Sequence, residues 1–459
     1  MANKLYEETD IAAIATAIRG KNGSSDTYTV SQMATAITNI PSGGGGSDVA
    51  NGIIESFKAT SGTIDANTFV EFVNNTTAGT DTQLSTLTNS YTYAYATTLS
   101  INSVFVTFYA SSTLYGVVCT ISGTTITAGD CTQLSASNTQ YAASVALSST
   151  KVFVAYGGTS NRLYGMVCTI SGTTITAGTG TELSTTTDSC NYVSAVLIGS
   201  GKVFIAHRNG GYVSGMICTI SGTTVTSGGD SLVSSISGSW ENISATALNN
   251  DKVFVAHRGG SYLYGVVCTI SGTTLTAGTD TQLSILTNSY TNMTATMLEG
   301  DKVFIAHRGK DLYLYGIVCT ISGTTITAGT DTLLTDIPDS YINSTIFLDA
   351  NKVFIAHRNT GNSYMYGMVC IFSGTSIIIG PDIKIGAINT IHTNTSRVFA
   401  TLIDTNKVFA AHRGGNSYLY GVVYTIPPLT IAASKTKVNG LVKTTCTSDE
   451  EGQVWVLDN

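Results

Sequence analysis

Lys252-Val-Phe-Val-Ala-His257 and Leu263-Tyr-Gly-Val-Val-Cys-Thr-Ile270 are two apolar blocks separated by Arg258-Gly-Gly-Ser-Tyr262. β-Branched and aromatic residues dominate both, and neither shows the three- and four-residue apolar spacing of a helix. Each block therefore reads as a strand, and Arg258 to Tyr262 as the connection between them. The tight turn Ser271-Gly272-Thr273 leads into a third strand-like run, Thr274 to Leu283. Upstream, Ile243-Ser-Ala-Thr-Ala-Leu248 is a fourth run, small enough to pack near a crowded axis.

This unit returns along the chain. Copies of the first block start at Ser103, Lys151, Lys202, Lys252, Lys302, Lys352 and Lys407, in steps of 48 to 55 residues. Copies of the second start at Leu114, Leu163, Val213, Leu263, Leu314, Met365 and Leu419. A period near about fifty residues with strand alternation is the signature of a β-propeller. The expected fold is all-β, a seven-bladed β-propeller of four-stranded blades. The last copy lacks its outer strand, and a matching orphan, Thr68-Phe-Val-Glu-Phe-Val73 through Gly79-Thr-Asp-Thr-Gln-Leu84, precedes the first. The N-terminal strand is thus expected to complete the last blade and to remove exposed sheet edges.

Composition narrows the partners. Charged residues are 11% of the chain, net charge is −7, and Lys and Arg form no run, which argues against nucleic acid. No stretch is apolar and long enough for membrane insertion, and the first residues lack the apolar core of a secretory signal. Six of the nine cysteines (Cys119, Cys168, Cys218, Cys268, Cys319, Cys370) occupy one repeated position, too far apart around a ring to bridge. They read as small buried apolar residues of a chain folded in a reducing cytoplasm. Cys131, Cys190 and Cys446 show no metal spacing, so neither a metal nor a cofactor is expected.

Appendages flank the repeat. Ile11, Ile14 and Ile18, then Val30, Met33 and Ile37, form two short apolar stripes that read as an α-helical hairpin spanning 1–40. Pro41-Ser-Gly-Gly-Gly-Gly-Ser47 opens a flexible linker and lead-in over 41–67. The propeller is assigned to 68–427 and a short C-terminal β tail to 428–459. The hairpin is too small for an independent core, so its stripes are expected to dock on other copies of the chain or on another protein.

The segment Lys4-Leu-Tyr-Glu-Glu-Thr-Asp-Ile-Ala-Ala-Ile-Ala15 to Gly23, with Tyr28-Thr-Val-Ser-Gln-Met-Ala-Thr-Ala-Ile37, resembles N-terminal segments of tail and appendage proteins from phages of Gram-positive bacteria. Lys437-Val-Asn-Gly-Leu-Val-Lys-Thr444 and Gly452-Gln-Val-Trp-Val456 are similar to C-terminal strands of such virion proteins. The resemblance implies a virion structural or adhesion protein, a homo-oligomer attached to other virion proteins through its N-terminal module. It also implies assembly in the host cytoplasm and release by lysis.

Binding residues are expected where the repeat varies. The connection after the first block carries Arg208 and Tyr212, Arg258 and Tyr262, Arg308 and Tyr313, Arg358 and Tyr364, or Arg413 and Tyr418. The connection into the innermost strand carries Tyr91, Trp240, Tyr290 or Tyr341. The Ile-Ser-Gly-Thr-Thr turn on the other face barely changes. Aromatic faces beside Asn and Arg donors suit a host surface glycan or protein. His207, His257, His307, His357 and His412 each precede a repeated arginine or stand beside it on a strand, so the two side chains point to opposite faces. These histidines are expected to bond between blades rather than to bind a ligand. Glycoside hydrolysis would need paired carboxylates, and only Glu241, Asp336 and Asp339 stand near the variable face. No catalytic residue is expected.

Overall fold

The computed structural model describes residues 53–87, 94–136, 141–158, 161–184, 192–238, 243–286, 293–309, 311–338, 340–349, 351–359, 364–385, 399–414, 418–433 and 440–456. The chain divides into two compact units, Thr76–Pro427 and the two chain ends Met1–Asn75 with Pro428–Asn459.

In the larger unit every repeat copy becomes one antiparallel sheet. The copy quoted above runs Ile243–Ala247, Lys252–Gly259, Tyr262–Ser271, Thr274–Ala277 and Thr281–Gln282. The outer run, one strand by its sequence, is two. Gly278 still donates its N–H to Val267 O at 2.9 Å, but Asp280 swings out of the ladder, and pairing resumes at Thr281 opposite Gly265. The first two residues after the long third strand, as in Gly272-Thr273, form the hairpin loop. Gly272 sits at φ 66°, a left-handed value that favours glycine.

The innermost strands of successive copies are Ala94–Ser100, Ala142–Ser148, Ser194–Leu197, Ile243–Ala247, Met293–Leu298, Ser340–Asp349 and Phe399–Asp404, here blades 1 to 7. They neighbour one another in chain order, and the last neighbours the first. Hydroxyls bridge them: Thr97 with Ser144 at 2.6 Å, Ser194 Oγ accepting from Ala245 N–H at 3.0 Å, and Ser244 Oγ accepting from Ala295 N–H at 2.9 Å. Thr98 and Thr401 close the circle at 2.8 Å. Apolar layers fill the seams between blades. Alternation along Lys202–Asn209 sends Val203 and Ile205 against Phe153 and Ala155 of blade 2. It sends Phe204 and Ala206 against Val253 and Val255 of blade 4. The repeated cysteines lie in these layers, fully buried, and burial pushes the thiols of Cys168, Cys218, Cys268 and Cys319 up to about 12.

The expectation of seven four-stranded blades, a helical hairpin in front and a short β tail behind is corrected on several counts. The described residues form nine sheets, eight five-stranded and one two-stranded, and no α-helix occurs among them. The added strand comes from the break at Asp280 and its equivalents. The hairpin stripes Ile11, Ile14, Ile18, Val30, Met33 and Ile37 fall outside the described residues. Blade 7 takes Thr77–Ala78 and Thr82–Gln83 as its outer strands, paired to Leu419–Thr425. Phe69–Val73, expected in that position, pairs instead with Thr430–Ala433 and Gly440–Val442.

The smaller unit is therefore no tail. Its five-stranded sheet orders Ile53–Phe57, Gly452–Val456, Gly440–Val442, Phe69–Val73 and Thr430–Ala433 side by side. Thr63–Ile64 and Cys446–Thr447 add a two-stranded sheet. Val70, Ile431, Val442, Cys446 and Val454 are fully buried in it, with Phe57 and Phe72 in ring contact at 5.0 Å. The chain ends build one small β domain into which the propeller is inserted.

Candidate functional site

A polar clip recurs at one end of the blades. His257, on the second strand of blade 4, donates Nε2–H to Asp280 Oδ1 at 2.8 Å. Asp280 Oδ2 accepts from Ser234 of blade 3, also at 2.8 Å. The carboxylate thus joins its own blade to the preceding one. His307–Asp331–Ser284 repeats the clip at 2.7 Å for both bonds. His357–Asp382–Thr335 does so at 2.9 Å, and His207–Asp230–Ser184 joins blades 2 and 3. His412 bonds Asp81 at 3.0 Å, so blade 7's carboxylate arrives from the N-terminal segment. Each of the first four imidazoles is fully buried, and His412 nearly so. Burial alone would raise the Asp230 carboxyl, but the His207 hydrogen bond and charge, with the Ser184 hydroxyl, outweigh it and hold it below its ordinary value.

Two blades keep the clip with other chemistry. In blade 2, Tyr156 replaces histidine and Gly180 replaces aspartate. The Tyr156 hydroxyl fills the carboxylate's place: a Cβ on Gly180 would stand 2.3 Å from it, and it bonds Ser135 of blade 1. In blade 1, Phe108 and Cys131 occupy the two positions, and Cys131 Sγ faces Leu84 O of blade 7 at 3.8 Å.

These clips are not catalytic triads. The aspartate stands between the serine and the histidine and accepts from both, whereas a triad places the histidine between the other two. Among the described residues, no group of three His, Cys, Asp or Glu side chains could hold a metal ion.

The sequence-derived binding residues separate under this geometry. His and Arg diverge as alternation requires: His257 faces blade 3, while Arg258 lies on the face toward blade 5. Arg208, Arg258 and Arg413 are half-buried, and Arg308 and Arg358 are buried. Arg258 donates Nε–H to Gly260 O at 2.9 Å. Tyr212 is exposed, whereas Tyr262, Tyr313, Tyr364 and Tyr418 are half-buried at the start of the third strand. Lys384 Nζ sits 3.0 Å over the Tyr364 ring. Tyr341 lies in Ser340–Asp349, its backbone paired with Arg358. Tyr91, Trp240, Tyr290, Glu241 and Asp339 fall outside the described residues. Two of the repeated lysines reach across seams: Lys151 Nζ donates to Gly222 O at 3.3 Å and Lys202 Nζ to Gly272 O at 3.1 Å.

A second tyrosine set was missed. Tyr264, Tyr315, Tyr366 and Tyr420 stack on the clip histidines at 5.6 to 6.0 Å between centroids. Tyr115 stacks on Phe108 and Tyr164 on Tyr156. Strand register signals them, because each stands opposite the histidine position on the neighbouring strand. In blade 2 Tyr164 also approaches Glu182, which pairs with Arg162 at 2.7 Å.

No protein-family model matches the chain, and no curated protein matches it. Among solved structures, it is similar to a protein from Lactobacillus plantarum (11% identity, 65% of this chain and 86% of that one, TM-score 0.49). It is also similar to a protein of unknown function from Dyadobacter fermentans DSM 18053 (9% identity, 77% and 99%, TM-score 0.47). A mutant of AofleA from Arthrobotrys oligospora follows at 11% identity, 64% and 86% coverage, and a TM-score of 0.44. At these identities, with every score below 0.5, nothing in this chain's fold or function is drawn from them.

Proposed function

We propose that this chain is a non-catalytic binding protein whose propeller presents variable aromatic connections to a glycan or protein on a host cell surface. The observation that carries the reading is the separation of chemistry within each blade. The potentially reactive His, Asp and Ser groups are buried in the seams, committed to holding blades together. The residues that differ between copies stand on the connections between the second and third strands, at the same end of the blade as the clips. Loops on a rigid scaffold are where binding is concentrated, and a ring of similar units strengthens weak single contacts through multivalency. The resemblance of the N-terminal segment supports a carrier that is a virion, with the chain docked to other virion proteins as a homo-oligomer.

The test is an array of Gram-positive wall polysaccharides and teichoic acids probed with the full chain. The reading expects retention by at least one of them, weakened when the connection tyrosines Tyr212, Tyr262, Tyr313, Tyr364 and Tyr418 are changed together to alanine. Retention by none refutes it, and release of shortened sugar products would replace it with a glycan-processing enzyme.

A further inference from the structure

The seam between blades 2 and 3 differs from the other six. At every other seam the earlier blade contributes a long side chain next to the clip: Tyr109, Arg208, Arg258, Arg308, Arg358 or Arg413. The later blade contributes a tyrosine stacked over the clip. Between blades 2 and 3 both are missing at once. The earlier position is Gly157, and the tyrosine position is Ser214, opposite His207. Strand ends vary beside the tyrosine, and blade 6 keeps Asn359 next to Tyr366. Gly158, Gly259 and Gly309 stand against their tyrosines so closely that a Cβ would lie 2.2 to 2.9 Å from the ring. Blade 3 has Asn209 there, and its Nδ2–H donates to Ser214 Oγ at 3.4 Å.

Two large apolar side chains are exposed at the rim of this seam. Tyr212 is 42% exposed and Leu232 56% exposed. Leu232 pairs with Ser214, so Tyr212, Ser214 and Leu232 share the blade face turned toward blade 2. Other blades place Gln83, Gln133, Glu182, Gln282, Leu333 or Lys384 at the position of Leu232. No cation of blade 3 projects here, because Arg208 lies on the opposite face. Asp230 is the acidic group of the clip below, held by His207 and Ser184.

We propose that the seam between blades 2 and 3 is a single built-in saccharide subsite, selective for an uncharged sugar unit. The sugar ring stacks on Tyr212 and Leu232, and the Asn209 amide binds a hydroxyl. An exposed aromatic ring beside an amide suits this chemistry, and the Asp230 carboxylate beneath disfavours an anionic sugar. This inference rests on the binding reading above and narrows it from a ring of sites to one seam.

The experiment is saturation-transfer NMR on the full chain with the methyl glycosides of glucose, galactose, N-acetylglucosamine and rhamnose. At least one should receive saturation. The double variant Asn209→Gly/Ser214→Tyr rebuilds the arrangement of blade 4 and should melt like the parent, while weakening that binding at least tenfold. Tyr212→Ala, on the surface, should weaken it comparably and guards against a folding defect in the double variant. Undiminished binding in both variants overturns this inference and leaves the wider binding reading standing. No transfer to any glycoside, with retention on the polysaccharide array, also overturns the subsite. A blank array refutes the binding reading itself.

Discussion

The clip can be rebuilt in blade 5 from the parts that blade 2 already uses. Asp331→Gly alone strips the carboxylate from two buried donors, His307 Nε2–H and Ser284 Oγ–H, each held at 2.7 Å. Leaving a buried donor unsatisfied costs about 1–3 kcal/mol, so the single change should cost about 2–6 kcal/mol, in the range for breaking a buried pair. His307→Tyr alone drives a hydroxyl into the Asp331 carboxylate. In blade 2 that space is open only because residue 180 is glycine, where a Cβ would stand 2.3 Å from the Tyr156 oxygen. Such overpacking costs about 1–3 kcal/mol. Together the two changes recreate Tyr156 and Gly180, with the new hydroxyl reaching Ser284 as Tyr156 reaches Ser135. The double variant should lose no more than about 1–2 kcal/mol, a favourable coupling of about 2–7 kcal/mol. Repeat units open locally, so amide hydrogen exchange of Lys302–Arg308 and Leu314–Ser322 is the readout. If the double variant loses protection equal to the two singles combined, the clip is not the device described here.

Acid should loosen the seams. Asp230 has its folded-state carboxyl below the ordinary value, so its stabilisation is fully present above the unfolded value of about 4 and fades as pH falls through the folded one. Melting temperature should drop steeply in that window, and Asp230→Asn should flatten part of the slope; an unchanged slope would remove Asp230 from the cause. Residues 76–427 alone should fold and melt cooperatively, since the smaller unit closes on its own strands. Starting at residue 86 removes Thr77–Ala78, Thr82–Gln83 and Asp81, leaving His412 without its carboxylate and the edge of Leu419–Thr425 open. That form should aggregate, as light scattering would show, and equal behaviour of the two truncations would refute the closure.

The strands were legible because each copy restates the same alternation, and the turn glycines mark their ends. What the sequence hid was contact across distance. Asp280 sits in Ala-Gly-Thr-Asp, a string that reads as an ordinary turn, and its partner lies 23 residues earlier on another strand. The outer run breaks at this position in every repeat sheet, also where Cys131 or Gly180 stands there, and the break gives the fifth strand. Nothing local shows that Thr430–Ala433 pairs with Phe69–Val73 across most of the chain. Of the proposed binding positions, those on the strand ends could be placed, while the candidates Tyr91, Trp240 and Tyr290 lie outside the described residues.

Internal variation of the clip bears on function because the copies act as parallel solutions to one packing problem. His with Asp, Tyr with Gly, and Phe with Cys occupy the same two positions, and size changes at one are matched at the other. Such matching is the mark of a volume that must stay filled, since an unfilled or overfilled seam costs several kcal/mol. The tyrosine position over the clip behaves in the same way. Six copies keep an aromatic ring there, and the strand-end residue stays small beside it in most of them. Ser214 breaks that pairing, and Gly157 across the seam removes the neighbouring bulk as well. Two independent losses falling on one seam of a ring are poorly explained by packing, because nothing in the core layers beneath differs: Phe153, Val203, Ile205 and Cys218 are buried as in every other blade. A rule kept around the ring and dropped at one seam, beside exposed Tyr212 and Leu232, is what the proposed saccharide subsite accounts for.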